Sequence, residues 1–206
     1  MRSMLTFLAG FLALSLTVPA VQANTGDERY FDPVTRTYIT VNRIKARSRV
    51  IPRRFRQKTV SYSTKEKPGT IVIDTKKHYL YYVLDNGKAV RYGVGVGRDG
   101  FGWSGKVKVG RKAKWPRWTP PPEMRIREAR KGIKLPVSMA GGPDNPLGAR
   151  ALYLYKGGRD TIYRIHGTNA PWTIGYNMSS GCIRMVNDHV TDLYKRVKVG
   201  AKVVVK

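Results

Sequence analysis

From Thr59 onward the chain is punctuated by short β-branched and aromatic runs, each closed by turn-forming residues. Thr70–Asp74 (TIVID) is one such run. Lys77–Leu84 and Lys88–Val96 flank Asp85-Asn86-Gly87. Asn-Gly between two β-rich runs predicts a hairpin, because both residues tolerate positive φ. In the second run Val90, Tyr92, Val94 and Val96 alternate with other residues and are predicted to share one face. Ala151–Lys156 and Thr161–His166 make a second predicted pair, joined by Gly157-Gly158-Arg159-Asp160, and Val203–Val205 ends the chain as a strand.

Helical pattern is scarce. Met124–Lys131 has length for two turns and Asn187–Val197 for three. The second opens on Asn187 and Asp188, which suit a helix N-terminus as caps and as partners of the dipole. Long Gly- and Pro-rich loops lie between the elements, at 115–124 (WPRWTPPPEM) and 141–150 (GGPDNPLGAR). The predicted class is mostly β with one or two short helices. Gly95 to Gly100 matches G-x-G-x-x-G after a strand, but the chain continues FGWSGKVKVG, rich in glycine and β-formers. No helix opens there to meet a pyrophosphate, so the segment reads as a turn.

The N-terminus follows another pattern. Arg2, an apolar run from Leu5 to Val18, and a small-residue site at Val21-Gln22-Ala23 form a secretory signal, shorter than a membrane span. Cleavage near Ala23 would export the protein to the periplasm or cell envelope. Residues 24–58 read as a basic, flexible segment: Arg43–Lys58 holds eight basic residues and no acid. Lys and Arg total 39 against 13 acids over 206 residues, a net charge of +26. Such charge attracts polyanions; export removes nucleic acid from reach and leaves anionic wall polymer or an acidic membrane face. The oligomeric state is not legible.

Cys182 is the single cysteine. In an oxidising compartment an unpaired thiol is exceptional, and its surroundings suggest chemistry. Ser179-Ser180-Gly181 before it allow a sharp bend, and His166 ends a predicted strand, with fifteen residues separating it from Cys182. An imidazole can take a thiol proton and return it to a departing amine, while N–H groups of a Gly-Cys turn steady an oxyanion. Nearby basic charge would favour the thiolate, so rapid alkylation near neutral pH is expected. His78 and His189 fit this scheme less well, and three scattered histidines with one cysteine offer no metal-ligand spacing. No cofactor is expected.

The segment HGTNAPWTIGYNMSSGCIRMVNDHVTDLYKRV resembles the L,D-transpeptidase catalytic domain (YkuD-like), with a His-Gly and then Ser-x-Gly-Cys. The likeness extends upstream through GTIVIDTKKHYLYYV, YGVGVGRDGFGWSG, PRWTPPPEM and GGPDNPLGARALYL, and so covers about residues 60–206. It implies a β-sandwich-like catalytic domain over 59–206 acting on peptidoglycan stem peptides. Cys182 would attack the diaminopimelate–D-Ala carbonyl, D-Ala would leave, and an amine would take the acyl group. That amine belongs to another stem, giving a 3→3 crosslink, or to an outer-membrane protein. By position Cys182 is the nucleophile and His166 the general base and acid. Gly181, Ser180, Arg184 and Gly167 supply oxyanion and substrate contacts. Many members have histidine where this chain has Ser180. The Pro120-Pro121-Pro122 and Asp144-Asn145-Pro146 segments are expected to wall the groove.

Three alternatives stand beside this reading. Water as acceptor would give an L,D-carboxypeptidase. A papain-like peptidase places cysteine before histidine, the reverse of this order. A non-catalytic basic protein could bind anionic envelope polymer without using Cys182.

Overall fold

The computed structural model describes residues 29–32, 37–40, 51–130 and 132–206. The expected signal sequence and much of the basic segment lie outside these residues. β1 (Arg29–Asp32) and β2 (Thr37–Thr40) pair antiparallel with each other. Within the same basic segment, a short 3-10 turn over Arg53–Phe55 buries Phe55 against Ile174 and Val186. Burying a phenylalanine contributes about 1.5–3 kcal/mol. The packed structure therefore includes residues upstream of Thr59.

Nine strands form one ladder: β3 (Lys58–Ser61), β4 (Ile71–Asp74), β5 (Tyr79–Val83), β6 (Lys88–Gly93), β8 (Gly105–Lys114), β9 (Arg150–Lys156), β10 (Arg159–His166), β12 (Ile183–Arg184) and β13 (Lys202–Val205). Their order is β12-β10-β9-β8-β13-β4-β5-β6-β3. The short β7 (Val96–Gly97) and β11 (Asn177–Ser179) pair in parallel outside it. Helix α1 spans Pro122–Ala129 and α2 spans Asn187–Arg196. Mostly β with two helices is the class expected.

Ile71, Val72 and Ile73 are apolar without alternation because β4 lies between β13 and β5 and is buried on both faces. Helix α2 contacts β9 and, through His189 and Asp192, also Tyr92 of β6. Those strands are five places apart in the order, or about 24 Å in a flat sheet. A helix is about 10 Å wide. The sheet must therefore curl around α2, and one core cluster joins Tyr92 to Leu152, Ile165, Ile183 and Leu193.

Several local expectations are refined. Asn86 and Gly87 have φ of 56° and 65°, as the predicted turn requires. The second hairpin turns on Gly157 and Gly158 alone, at φ 57° and 78°, so Arg159 and Asp160 belong to β10. Val90, Tyr92, Val94 and Val96 all enter the core, but the strand ends at Gly93 and Val96 sits in β7. Strand β8 was not anticipated, although Lys106-Val107-Lys108-Val109 alternates with both valines buried. Helix α1 starts two residues before Met124, and Lys131 lies outside the described residues. Helix α2 is capped at Val186 without a side-chain bond. The Asn187 oxygen is engaged elsewhere, in the site.

Candidate active site

Ile165 of β10 and Ile183 of β12 are register partners, and both are fully buried in the core. Alternation turns their neighbours Arg164, His166, Cys182 and Arg184 to the opposite face. Those four side chains line a single cavity of 410 Å³. The parallel pairing of β10 with β12 is thus what joins the histidine and the cysteine. A larger groove of 690 Å³ runs past Lys65, Lys67, Lys198 and Lys202 and holds neither residue; volume alone does not find the chemistry.

His166 is 4% exposed, and its Nδ1 lies 2.5 Å from the Gly167 carbonyl oxygen. A carbonyl only accepts, so Nδ1 carries the hydrogen and Nε2 keeps the lone pair. Burial lowers the imidazole pKa to about 3, helped by the Arg184 charge. The Gly167 carbonyl opposes this without offsetting it. His166 is therefore neutral, a base awaiting a proton.

Cys182 follows a tightly braced turn. Ser179 Oγ donates to the Cys182 carbonyl at 2.5 Å and accepts the Gly181 N–H at 3.1 Å. Gly181 has φ 101°, and a Cβ there would meet the Tyr163 ring at 2.4 Å. Only glycine fits. The Cys182 sulfur lies 4.0 Å from the Ile162 carbonyl oxygen. Ile162 itself has φ 60° at a bulge in β10. A β-branched residue there carries about 1–3 kcal/mol of strain, and Asp160 holds it by accepting its N–H at 2.8 Å.

Cys182 retains some exposure, yet burial of its sulfur pushes the thiol pKa up. A backbone hydrogen bond from Arg164 and the charges of Arg164 and Arg184 act in the other direction and are outweighed. The thiolate expected from the basic surroundings is thus disfavoured at rest. The pair is thiol and neutral imidazole.

The remaining expected residues divide. Ser180 lines the cavity, and its Oγ lies 3.3 Å from an Arg127 guanidinium nitrogen of α1. Arg184 lines the same cavity with its Nε buried and unbonded among the described residues. The Gly167 N–H donates to the Arg150 carbonyl and the Gly181 N–H to Ser179, so neither is open to a ligand. The Cys182 N–H has no acceptor among the described residues. Gly167 serves close approach instead: a Cβ there would stand 2.2 Å from Asn187 Oδ1. That oxygen accepts N–H groups from Ala149 at 2.9 Å and Thr168 at 3.3 Å.

Both proline loops reach the cavity through Arg117, Trp118, Pro121, Pro146 and Leu147. Asn145, 1% exposed, ties them together; its amide donates to the Pro116 and Ala140 carbonyls at 3.0 and 2.9 Å. Arg111, Tyr153 and Arg164 also line the cavity and were not anticipated, because nothing in a strand pattern distinguishes a groove face from a solvent face. His78 bonds Asn177 at 2.8 Å, and His189 packs on Tyr92; neither lines the cavity. Among the described residues no group of three or more His, Cys, Asp and Glu is placed to hold a metal ion.

The YkuD model, which describes the L,D-transpeptidase catalytic domain, matches residues 68–205. The chain belongs to the L,D-transpeptidase catalytic domain family. This L,D-transpeptidase domain is 38% identical over 141 residues to the probable L,D-transpeptidase ErfK/SrfK of Escherichia coli (strain K12). It is 35% identical over 139 residues to the probable L,D-transpeptidase YbiS of the same organism. Each match covers 66% of this chain but only 43% of the relative, so the chain spans less than half the length of either.

Among solved structures, a Brucella melitensis protein described as a probable carnitine operon oxidoreductase is 48% identical, with a TM-score of 0.50. That match covers 78% of this chain and 98% of the other. In the L,D-transpeptidase domain described here, Gly95–Gly100 leads through a loop into β8. It offers no helix N-terminus for a dinucleotide pyrophosphate.

Proposed function

We propose that the protein is a peptidoglycan L,D-transpeptidase using Cys182 as nucleophile. The observation that carries this reading is the joint placement of Cys182 and a neutral His166 on one cavity wall. Cys182 Sγ attacks the carbonyl between diaminopimelate and D-Ala as His166 Nε2 takes the thiol proton. The Cys182 N–H, which has no acceptor among the described residues, faces the developing oxyanion. The C–N bond then breaks, His166 returns the proton to the D-Ala nitrogen, and a thioester remains. An acceptor amine attacks this thioester, gives its surplus proton through His166, and the Cys182 thiol is restored. Arg184, half-buried and positive on the same cavity wall, holds a substrate carboxylate.

The acceptor is an amine of a second stem peptide or of an outer-membrane protein; water would give carboxypeptidase activity. The N-terminal signal pattern supports export to the periplasm, with residues 24–58 as a basic segment ahead of the catalytic domain. Among the described residues no helix is long and apolar enough to cross a membrane.

The test is mass spectrometry of products from disaccharide-tetrapeptide of the diaminopimelate type. Dimers lacking one D-Ala, absent with Cys182→Ala, are the expected outcome. Tripeptide monomers alone would make the enzyme a carboxypeptidase, and untouched substrate would favour a basic envelope-binding protein.

A further inference from the structure

The residues that lead away from Cys182 across the sheet include one cation that the reaction leaves unused. Arg111 of β8 pairs in register with Tyr153 of β9, and Tyr153 with Arg164 of β10. Arg164 precedes the Ile165–Ile183 pair and so stands beside Cys182. Its guanidinium is occupied: it binds the two Asp160 oxygens at 2.6 and 2.8 Å and the Tyr163 carbonyl at 2.9 Å. Arg111 differs. Its guanidinium carbon lies 3.5 Å from the centre of the Tyr153 ring, a separation that requires face-to-face stacking.

Stacking covers the face of a guanidinium and leaves its in-plane N–H groups outward. No acceptor among the described residues bonds those of Arg111. Asp160 is near enough for Arg111 to help hold its carboxyl below the usual range. Its oxygens, however, are taken by Arg164 and the Ile162 N–H. Arg111, Arg117, Arg164 and Arg184 all line the cavity, and among the described residues no Asp or Glu does. A fixed guanidinium edge in such a cavity fits a carboxylate brought by the ligand.

We propose that Arg111, held on Tyr153, anchors a free carboxylate of the acyl-donor peptide at a distance from the reacting carbonyl. This assignment rests on the stem-peptide reading above. Strand β9 lies two places from β12 in the sheet, so Tyr153 is about 10 Å across from the nucleophile. A stem tetrapeptide carries two carboxylates with about that reach, each roughly six or seven bonds from the reacting carbonyl. One is the α-carboxylate of the isoglutamyl residue and the other is the distal carboxylate of diaminopimelate.

The experiment compares three donors with the full chain: the free tetrapeptide, its isoglutamine form, and its diaminopimelate-amidated form. Each is measured on the natural protein, Arg111→Gln and Arg111→Lys. With the free donor, Arg111→Gln raises KM about tenfold or more with little change in kcat, and Arg111→Lys recovers only part. Amidating the anchored carboxylate costs the natural protein the same factor and costs Arg111→Gln nothing further, which names the carboxylate. An unchanged KM in Arg111→Gln, or amidation penalties equal in both proteins, overturns the assignment. If no donor releases D-Ala, the enzymatic reading fails instead; the same comparison is then read as Kd on Cys182→Ala and its Arg111→Gln double variant.

Discussion

The indole Nε1–H of Trp103 donates to the carbonyl oxygen of Gly181 at 2.9 Å, bracing the Ser179–Cys182 turn from outside the cavity lining. The same indole stacks on Tyr163, with ring centres 4.7 Å apart and planes 8° from parallel. Tyr163 in turn closes the space that a Gly181 side chain would need. Trp103, Tyr163 and Ser179 thus brace the peptide unit that carries the Cys182 N–H.

Trp103→Phe keeps an aromatic ring for Tyr163 and removes only the donor. Loss of one hydrogen bond costs about 1 kcal/mol of stability. The larger effect is on geometry: kcat should fall about tenfold while KM moves less than about twofold, because a small displacement of a reacting group is felt in the transition state. Steady-state kinetics alongside a melting curve check this. A fall in Tm with kcat intact would make Trp103 a stability residue and no more.

Asn187 offers a second test of positioning. Its Oδ1 draws together the Ala149 and Thr168 backbones on either side of the His166 strand end. Asn187→Ala leaves two buried N–H groups without their acceptor, a cost of about 1–3 kcal/mol each at most. Asn187→Asp keeps the acceptor and should retain most of the stability. Gly167→Ala should do worse than either, since its Cβ would collide with Oδ1 and with the Ala149 nitrogen at 2.9 Å. Urea unfolding of the three variants ranks them.

The parts of this site legible in the sequence are those with local causes. A lone cysteine after Ser-Ser-Gly and a histidine at a strand end identify themselves by residue type and turn chemistry. The Asn86-Gly87 turn and the alternating Val90 and Tyr92 are likewise local. What puts His166 and Cys182 on one cavity wall is the parallel pairing of β10 with β12, made across a connection that no periodicity encodes. Arg111 joins the groove only through the β8–β9 and β9–β10 registers. Asn187 looked like a helix cap because its type suits one; tertiary demand from Ala149 and Thr168 took its oxygen. The Cys182 thiol pKa rises despite the basic charge around it for a related reason, since net charge is visible in composition and burial is not.

Outside the cavity lining, Tyr92 is fully buried and donates to Asp192 Oδ2 at 2.6 Å. Asp192 also accepts from Gln57 at 2.9 Å and from Arg196 at 2.9 and 3.0 Å. Burial raises the Asp192 pKa, but Arg196, Tyr92 and Gln57 together leave it below the usual value. Its contribution to stability is thus present above pH 3.8 and is lost as pH falls through the folded pKa. Tyr92→Phe strips a donor from the Asp192 carboxylate in this half-buried network and should cost about 1–3 kcal/mol. The rate of D-Ala release at 25 °C should stay within about twofold of the natural protein. A larger fall in kcat without a fall in Tm would mean that the network reaches the site.

The neutral state of His166 sets the last expectation. An unfolded histidine takes a proton near pH 6.5, whereas this one does so only at about 3. Between those values the unfolded chain binds more protons, so stability declines as pH falls from 6.5, by up to about 1.4 kcal/mol per pH unit. Above 6.5 this group contributes no slope. Cys182 acts at the other end: its raised thiol pKa makes the unfolded chain lose the proton first, so stability declines as pH rises past 9. In catalysis the base stays available in mild acid, so kcat/KM should not show an acidic limb at 6.5. Iodoacetamide should modify Cys182 more slowly at pH 7 than it modifies free cysteine, with the rate climbing above pH 9. Melting curves of the natural protein and His166→Gln at pH 7, 5 and 4 isolate the histidine part, since the difference between them should shrink as pH falls. A half-maximal rate near pH 6.5, or rapid alkylation at pH 7, would instead require an ion-paired thiolate and imidazolium at rest.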